Sequence, residues 1–269
     1  MKRITAGVSA LALLATVIAT QVNADAVGGD DAALTGAEIF SQVDVRSVAR
    51  ASHVASYAST RKYAVFEPHH DVEAELVASM RFVAPSTKTF TTTSEKGVGW
   101  IHKRVFRRLM DAEREAAALA TERTGSAIAP ANYTAQRVPD DVYRGRACYV
   151  LALTPRRADK YLMRGKVWID KEDLAIARVD GEPLKSPSIW VVRAPFVREY
   201  QRIDELWLPL RDETHTQIRF AGEYVLRIDY SDYSITRRDD VVEGRGPVGM
   251  ATGDEPTRLV SSKGTETRP

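Results

Sequence analysis

The chain has 269 residues, 44% of them hydrophobic and 28% charged, which excludes a polytopic membrane protein, a collagen-like fibre and a wholly disordered chain. Lys and Arg number 38 against 36 Asp and Glu, and loss of Lys2 and Arg3 with a cleaved leader leaves a neutral remainder. Neutrality speaks against a nucleic-acid partner, whose binding rests on phosphate neutralisation. The single cysteine, Cys148, rules out an intramolecular disulfide and a cysteine-based zinc site.

The first segment reads as an export signal. Met1-Lys2-Arg3 is basic, Ala6 to Ile18 is an apolar run too short to span a bilayer comfortably, and small residues follow at Val22-Asn23-Ala24 and Ala24-Asp25-Ala26. Residues 1–24 are therefore expected to be a signal peptide, cut after Ala24 or Ala26, that delivers the protein to the periplasm. Residues 25–33, with Gly28-Gly29-Asp30-Asp31, form a flexible leader.

Thr35 stands three residues before Glu38, a capping-box pattern that opens an amphipathic helix carrying Ile39, Phe40 and Val43 as far as Val48. The period then changes to two. Asp71 to Phe82 places Leu76, Met80 and Phe82 on one side and Glu73, Glu75 and Arg81 on the other, a half-buried strand of about 40 Å. Strands of that length belong to strongly curved sheets or barrels. Ser59 to Phe66 precedes it across a turn at Glu67 to His70, and Thr87 to Ser94 follows.

A helix is predicted from Trp100 to Leu119. Ile101, Val105, Leu109, Ala112 and Ala116 make its apolar stripe, widened by Phe106 and Met110, opposite Lys103, Arg104, Arg107 and Arg108. Such a helix covers a sheet with a solvated back, or it is a movable lid or a face for anionic lipid.

Eight further strands follow: Tyr133–Val138, Ala147–Thr154, Tyr161–Asp170, Leu174–Val179, Trp190–Arg202, Leu206–Glu213, Gln217–Phe220 and Glu223–Tyr233. Short turns between them imply an antiparallel meander. The expected fold is α+β, mainly β: residues 34–235 form an open antiparallel sheet of about eleven strands, an incomplete barrel covered by amphipathic helices. Residues 236–269 hold five of the 16 glycines and no aromatic residue, and read as a disordered polar tail.

Catalytic signatures are missing. The chain has no G-x-S-x-G, H-E-x-x-H or P-loop motif, and its G-x-G-x-x-G match, Gly244 to Gly249, falls in the polar tail rather than between a strand and a helix. His69 and His70 are adjacent, so on a strand they point to opposite faces and suit a solvated turn better than a metal site. Cys148 lies in an apolar strand with no identifiable base. No enzyme, metal or cofactor is expected.

What the pattern does offer is an apolar hollow. Leu76, Met80 and Phe82 share a face, as do Val167 with Ile169, Val192 with Phe196, and Leu226 with Ile228. Two helices are scant cover for so many strands, and the surplus apolar surface suits an acyl chain, with Trp100, Ile101, Val105 and Leu109 as the lid's side of the hollow.

The run Gly165-Lys166-Val167-Trp168-Ile169-Asp170, with Ala177-Arg178-Val179, Leu206-Trp207-Leu208-Pro209-Leu210 and Val225-Leu226-Arg227-Ile228-Asp229-Tyr230, resembles the LolA-like superfamily of periplasmic outer-membrane lipoprotein-sorting proteins over residues 39–233. The resemblance implies an unclosed barrel whose hollow accepts acyl chains of a lipoprotein or lipid, a monomer, an inner-membrane donor and an outer-membrane acceptor. The basic residue that helps latch the lid in that family is replaced by Ala84 in Val83-Ala84-Pro85. The expected function is a non-enzymatic periplasmic carrier; the alternative is an interaction module similar to RseB-type stress sensors, regulating a membrane partner.

Overall fold

The computed structural model describes residues 34–67, 71–119, 125–186 and 189–242. The meander expected from the short turns is present. Strands β1 (Val54–Phe66), β2 (Val72–Val83) and β3 (Thr87–Gly97) precede a helical crossover. After it come β4 (Tyr133–Tyr143), β5 (Arg146–Pro155), β6 (Met163–Asp170), β7 (Ala175–Pro183), β8 (Val191–Arg193), β9 (Phe196–Ile203), β10 (Leu206–Ile218) and β11 (Gly222–Arg237). They form one antiparallel sheet in the order β3-β2-β1-β11-β10-β9-β7-β6-β5-β4, with β8 beside β10. β3 and β4 end the sheet at opposite sides, so the barrel is open.

Several strand bounds run beyond the sequence pattern, and two expected strands differ in kind. The expected strand Trp190–Arg202 is broken at Ala194-Pro195 into β8 and β9, because Pro195 has no N–H to give a ladder. The expected pair Leu206–Glu213 and Gln217–Phe220 is one strand, β10, continuous through the β-branched Thr214 and Thr216. Strand β11 also runs on to Arg237 and is followed by a short helix, Arg238–Val242. The signal segment, the leader and residues 243–269 lie outside the described residues.

Helix α1 (Gly36–Ser52) begins where the capping box predicts. The Thr35 N–H donates to the Glu38 carboxylate at 2.8 Å, and the Glu38 N–H donates to Thr35 Oγ1 at 3.3 Å. It crosses the concave face and packs Ile39, Phe40 and Val43 on Tyr133, Leu151, Val167 and Val179 of β4 to β7.

The crossover from β3 to β4 joins the two outermost strands. It starts with α2 (Gly99–Ile101), passes through a π-helical turn (His102–Phe106) and continues as α3 (Arg107–Ala118). Its buried residues recur as Ile101, Val105 and Leu109, with Phe106 and Met110 beside them. A repeat of four residues overshoots an α-helical turn of 3.6, so the stripe would drift around the helix. The wider π turn absorbs that drift and keeps the three aliphatic residues over Tyr63, Leu76 and Ala78. Each large apolar side chain so buried contributes roughly 1.5–3 kcal/mol.

The sheet thus carries two helix-covered cores on its concave face, one under α1 and one under α2–α3, besides a small cluster of Val54, Leu206 and Ile235. Its bend is helped by the cross-strand pair Gly165 and Gly181 on β6 and β7. A Cβ on Gly165 would lie 2.1 Å from the Asp180 carbonyl oxygen, so only glycine lets these backbones approach.

Candidate functional site

Where the two helices diverge, the concave face is left uncovered and a cavity of about 190 Å³ remains. The C-terminal part of α1 gives it Ser47, Arg50 and Ala51; Val54, Tyr57 and Phe82 come from β1 and β2; Leu206, Trp207, Leu208 and Pro209 come from β10. Tyr230 and Tyr233 complete largely apolar, aromatic walls. Arg61, Lys88, Glu113 and Arg198 line its interior.

These charges are arranged, not scattered. Glu113 of α3 receives Arg61 Nη1 of β1 at 2.5 Å on one carboxylate oxygen and Lys88 Nζ of β3 at 2.7 Å on the other. All three side chains are buried. Burial alone would raise the Glu113 pKa, but Arg61 and then Lys88 outweigh it and hold the carboxyl at about 2. Burial likewise opposes the Arg61 charge, and Glu113 reverses that, keeping the guanidinium well above its ordinary pKa. The Arg61 guanidinium also lies 5.2 Å from the Phe90 ring centroid and 5.0 Å from that of Tyr230. Its Nε has no hydrogen-bond partner among the described residues. The result is an ionic latch that ties the far end of the crossover helix to two strands.

A second pair stands opposite. Arg198 Nε and Nη2 each approach a carboxylate oxygen of Asp212 at 2.5 Å, and the Tyr230 hydroxyl donates to Asp212 at 2.8 Å. This bidentate fork fixes β9 to β10 at the middle of the concave face.

The motifs that carried the family resemblance hold the hairpins beneath α1. Asp170 receives Arg146 Nη2 at 2.9 Å and the Asp173 N–H at 2.8 Å, closing the β6–β7 turn. Trp168 Nε1 donates to Asp141 at 2.9 Å. Trp207 Nε1 donates to Asp173 at 2.9 Å, and the Pro209 carbonyl accepts the Tyr233 hydroxyl at 2.7 Å, beside a register shift in β10. Arg50 of α1 donates to the carbonyl oxygens of Asp173 and Leu174 at 2.9 and 3.2 Å. The two motifs therefore meet at Asp173 and seat the end of α1, which is one wall of the cavity.

The residues expected to line one hollow are divided by this geometry. Leu76 and Met80 are fully buried on the sheet; Leu76 lies under Ile101, Val105 and Leu109, where Leu226 and Ile228 are partly buried. Val167, Ile169 and Phe196 belong to the other core, under α1. Phe82 alone of the set borders the cavity. Two of the expected residues lie at the surface. Trp100 is 49% exposed, because one residue before Ile101 is about 100° around the helix and faces solvent. Val192 is exposed on β8; the break at Ala194-Pro195 ends the alternation that would have placed it beside Phe196.

Sequence reasoning missed the latch. Its signal is Glu113, four residues after Leu109 and thus a carboxylate within the apolar stripe. Arg61 likewise alternates with Ser59 and Tyr63, both buried. Among the described residues no group of three or more His, Cys, Asp and Glu could hold a metal ion, and no helix is long and apolar enough to cross a membrane. His69 and His70 lie outside the described residues.

The architecture is that of an open half-barrel with its concave face bridged by helices. The chain is similar to the crystal structure of a putative outer membrane lipoprotein-sorting protein domain from Vibrio parahaemolyticus, at TM-score 0.43 and 12% identity over 78% of this chain and 97% of that one. It is similar to a DUF1329 family protein from Desulfovibrio piger, at TM-score 0.39 and 13% identity over 74% and 90% of the two chains. It is also similar to a LolA superfamily protein from Nitrosomonas europaea, at TM-score 0.35 and 14% identity over 75% and 93%. No family model matches the sequence, and no curated protein matches it.

Proposed function

We propose that the protein is a non-enzymatic periplasmic carrier that takes acyl chains of a lipoprotein or lipid against its concave face, between an inner-membrane donor and an outer-membrane acceptor. The observation that supports this reading is the cover itself: an amphipathic crossover helix lies over apolar strand residues and is tied down at Glu113 beside an aromatic-walled cavity. The cavity, about 190 Å³, is smaller than the roughly 300–1,000 Å³ of ordinary ligand sites. Uptake of a chain therefore requires α2–α3 to lift and give up Leu76, Leu226 and Ile228. Cys148 offers no nucleophile, since burial pushes its thiol pKa up.

Native mass spectrometry of protein from its own periplasm is expected to find bound lipid. After delipidation, a fluorescent fatty-acid probe is expected to bind saturably, and Leu226→Glu to abolish binding by placing a carboxylate on the acyl surface. Absence of saturable binding to the delipidated, folded protein overturns the carrier.

The second reading, an interaction module that regulates a membrane partner, is favoured by the same small volume, since both cores are filled. A stable, lipid-free complex with the periplasmic domain of a membrane protein is the result that would select it.

A further inference from the structure

One row of paired residues crosses the sheet as Gly97, Ala74, Val65, Leu226, Thr214 and Phe196, on β3, β2, β1, β11, β10 and β9. Beyond that row β10 continues from Thr214 to Ile218, roughly 13 Å, with β8 paired alongside it. The β10–β11 hairpin and β8 therefore form a finger at the end of the half-barrel opposite the walls contributed by Val54, Tyr57, Leu206 and Tyr233.

The finger's tip is apolar and bare. Phe220 is 93% exposed and Ile189 80%, with Trp190 and Val192 also exposed. The Arg219 N–H donates to the Trp190 carbonyl at 2.8 Å, so the Ile189–Trp190 turn and the Phe220 apex are one surface. Phe220 has φ +65, a left-handed conformation that an aromatic residue adopts at a cost. Arg219 and Lys185 beside it are exposed and have no ion pair among the described residues. Of the acids at this end, Glu182 pairs with Arg193 at 3.1 Å and Glu223 with His215 at 2.8 Å, whereas Glu73 Oε2 has no hydrogen-bond partner among the described residues.

The same end of the sheet carries a second cluster just past Gly97. Val98 and Trp100 are exposed there, with Lys103, Arg104 and Arg108 on the outer face of the helix that follows. Between the clusters lies the β1–β2 turn with Glu67 and Asp71.

We propose that this end of the molecule docks on an anionic lipid bilayer, with Phe220, Ile189 and Trp190 entering the headgroup–acyl boundary and Arg219 and Lys185 meeting lipid phosphates. Exposed aromatic and aliphatic side chains next to exposed cations are the composition of an interfacial anchor. The shape favours a bilayer over a protein: a convex hairpin tip cannot supply the roughly 800 Å² per partner of a stable protein interface. Charge favours an anionic leaflet, because basic residues near such a surface are drawn to its headgroups. The inference stands independently of the carrier reading.

The test uses the full chain, so its readout is local to the finger, since the apolar run near the N-terminus can hold vesicles by itself. Emission of Trp190, taken as the difference between wild type and Trp190→Phe, is measured with phosphatidylglycerol-containing vesicles whose acyl chains are brominated. We expect quenching, and Phe220→Asp, at an exposed site that leaves the fold intact, is expected to weaken its vesicle dependence roughly tenfold to a hundredfold. Arg219→Glu is expected to abolish the preference for phosphatidylglycerol over phosphatidylcholine. Unquenched Trp190 in protein that cosediments with the vesicles overturns the proposal. So does equal quenching in Phe220→Asp, or a dimer dispersed by Phe220→Asp that does not bind vesicles, which makes the tip a contact between copies.

Discussion

Glu113 and Arg61, 52 residues apart in sequence, meet at 2.5 Å in a site where both side chains are buried. Lys88 closes the same carboxylate from a third element. A buried pair of this kind contributes little net stability against a well-packed apolar substitute, yet it costs much to break, because the surviving charge is stranded. It therefore acts as a latch: indifferent while closed, decisive when one partner is removed.

Glu113→Gln is expected to lower stability by about 3–5 kcal/mol, since Arg61 and Lys88 then lose their carboxylate. Hydrogen exchange is expected to rise through α3 and leave α1, seated on the other core, unchanged. The combined change of Arg61→Met, Lys88→Met and Glu113→Leu is expected to recover stability to within about 1–2 kcal/mol of wild type. Wild-type protection of α3 in Glu113→Gln would remove the latch from the mechanism.

Acid is expected to release the same helix. The folded carboxyl is held at about 2 against 4.5 for the ordinary group, so its contribution is full above about pH 4.5 and is lost as pH falls towards 2. The difference corresponds to about 3 kcal/mol. Urea unfolding across that window is the measurement. Wild type is expected to lose that increment relative to Glu113→Gln, and parallel curves for the two proteins would refute the assignment.

Much of the architecture was legible because its signals are periodic. Alternation from Asp71 to Phe82 announces β2, the spacing of Thr35 and Glu38 announces the start of α1, and short turns announce the meander. What was not legible depends on where surfaces meet. The apolar sets of β2 and of β6 look alike in sequence, but α2–α3 covers much of the first and α1 the second, so residues expected to line one hollow are divided between two cores. Nothing local says which half of the sheet a helix will cross to. The latch was missed for a related reason: a carboxylate at Glu113 within the apolar stripe names no partner until Arg61 and Lys88 are seen beneath it.

Two positions of the crossover helix, five residues apart, separate cover from surface. Val105 is 7% exposed against the sheet, whereas Trp100 is 49% exposed. Val105→Asp places a carboxylate in the core under α3 and is expected to cost about 3 kcal/mol or more, with loss of protection concentrated in residues 99–118. Trp100→Asp is expected to change stability by no more than about 0.5 kcal/mol. Thermal unfolding of the two variants side by side decides the point, and similar losses would contradict the orientation of the helix.

The bend of the sheet makes a prediction independent of the helices. Gly165 faces Gly181 across β6 and β7, and a Cβ on Gly165 would stand 2.1 Å from the Asp180 carbonyl oxygen and 2.7 Å from Gly181 Cα. Both contacts are with backbone, which cannot rotate aside as a side chain would. Gly165→Ala must therefore separate the two strands or flatten the bend, and it is expected to destabilise by about 1–3 kcal/mol. Flattening also draws Val167 and Ile169 away from α1, so near-ultraviolet circular dichroism is expected to weaken with the far-ultraviolet signal intact. Gly99 is the control: a Cβ there meets nothing within 4 Å, and Gly99→Ala at the start of α2 is expected to be neutral or to stabilise by up to about 1 kcal/mol. If Gly165→Ala matches Gly99→Ala in denaturant midpoint, the close approach of β6 and β7 is not what curves the sheet.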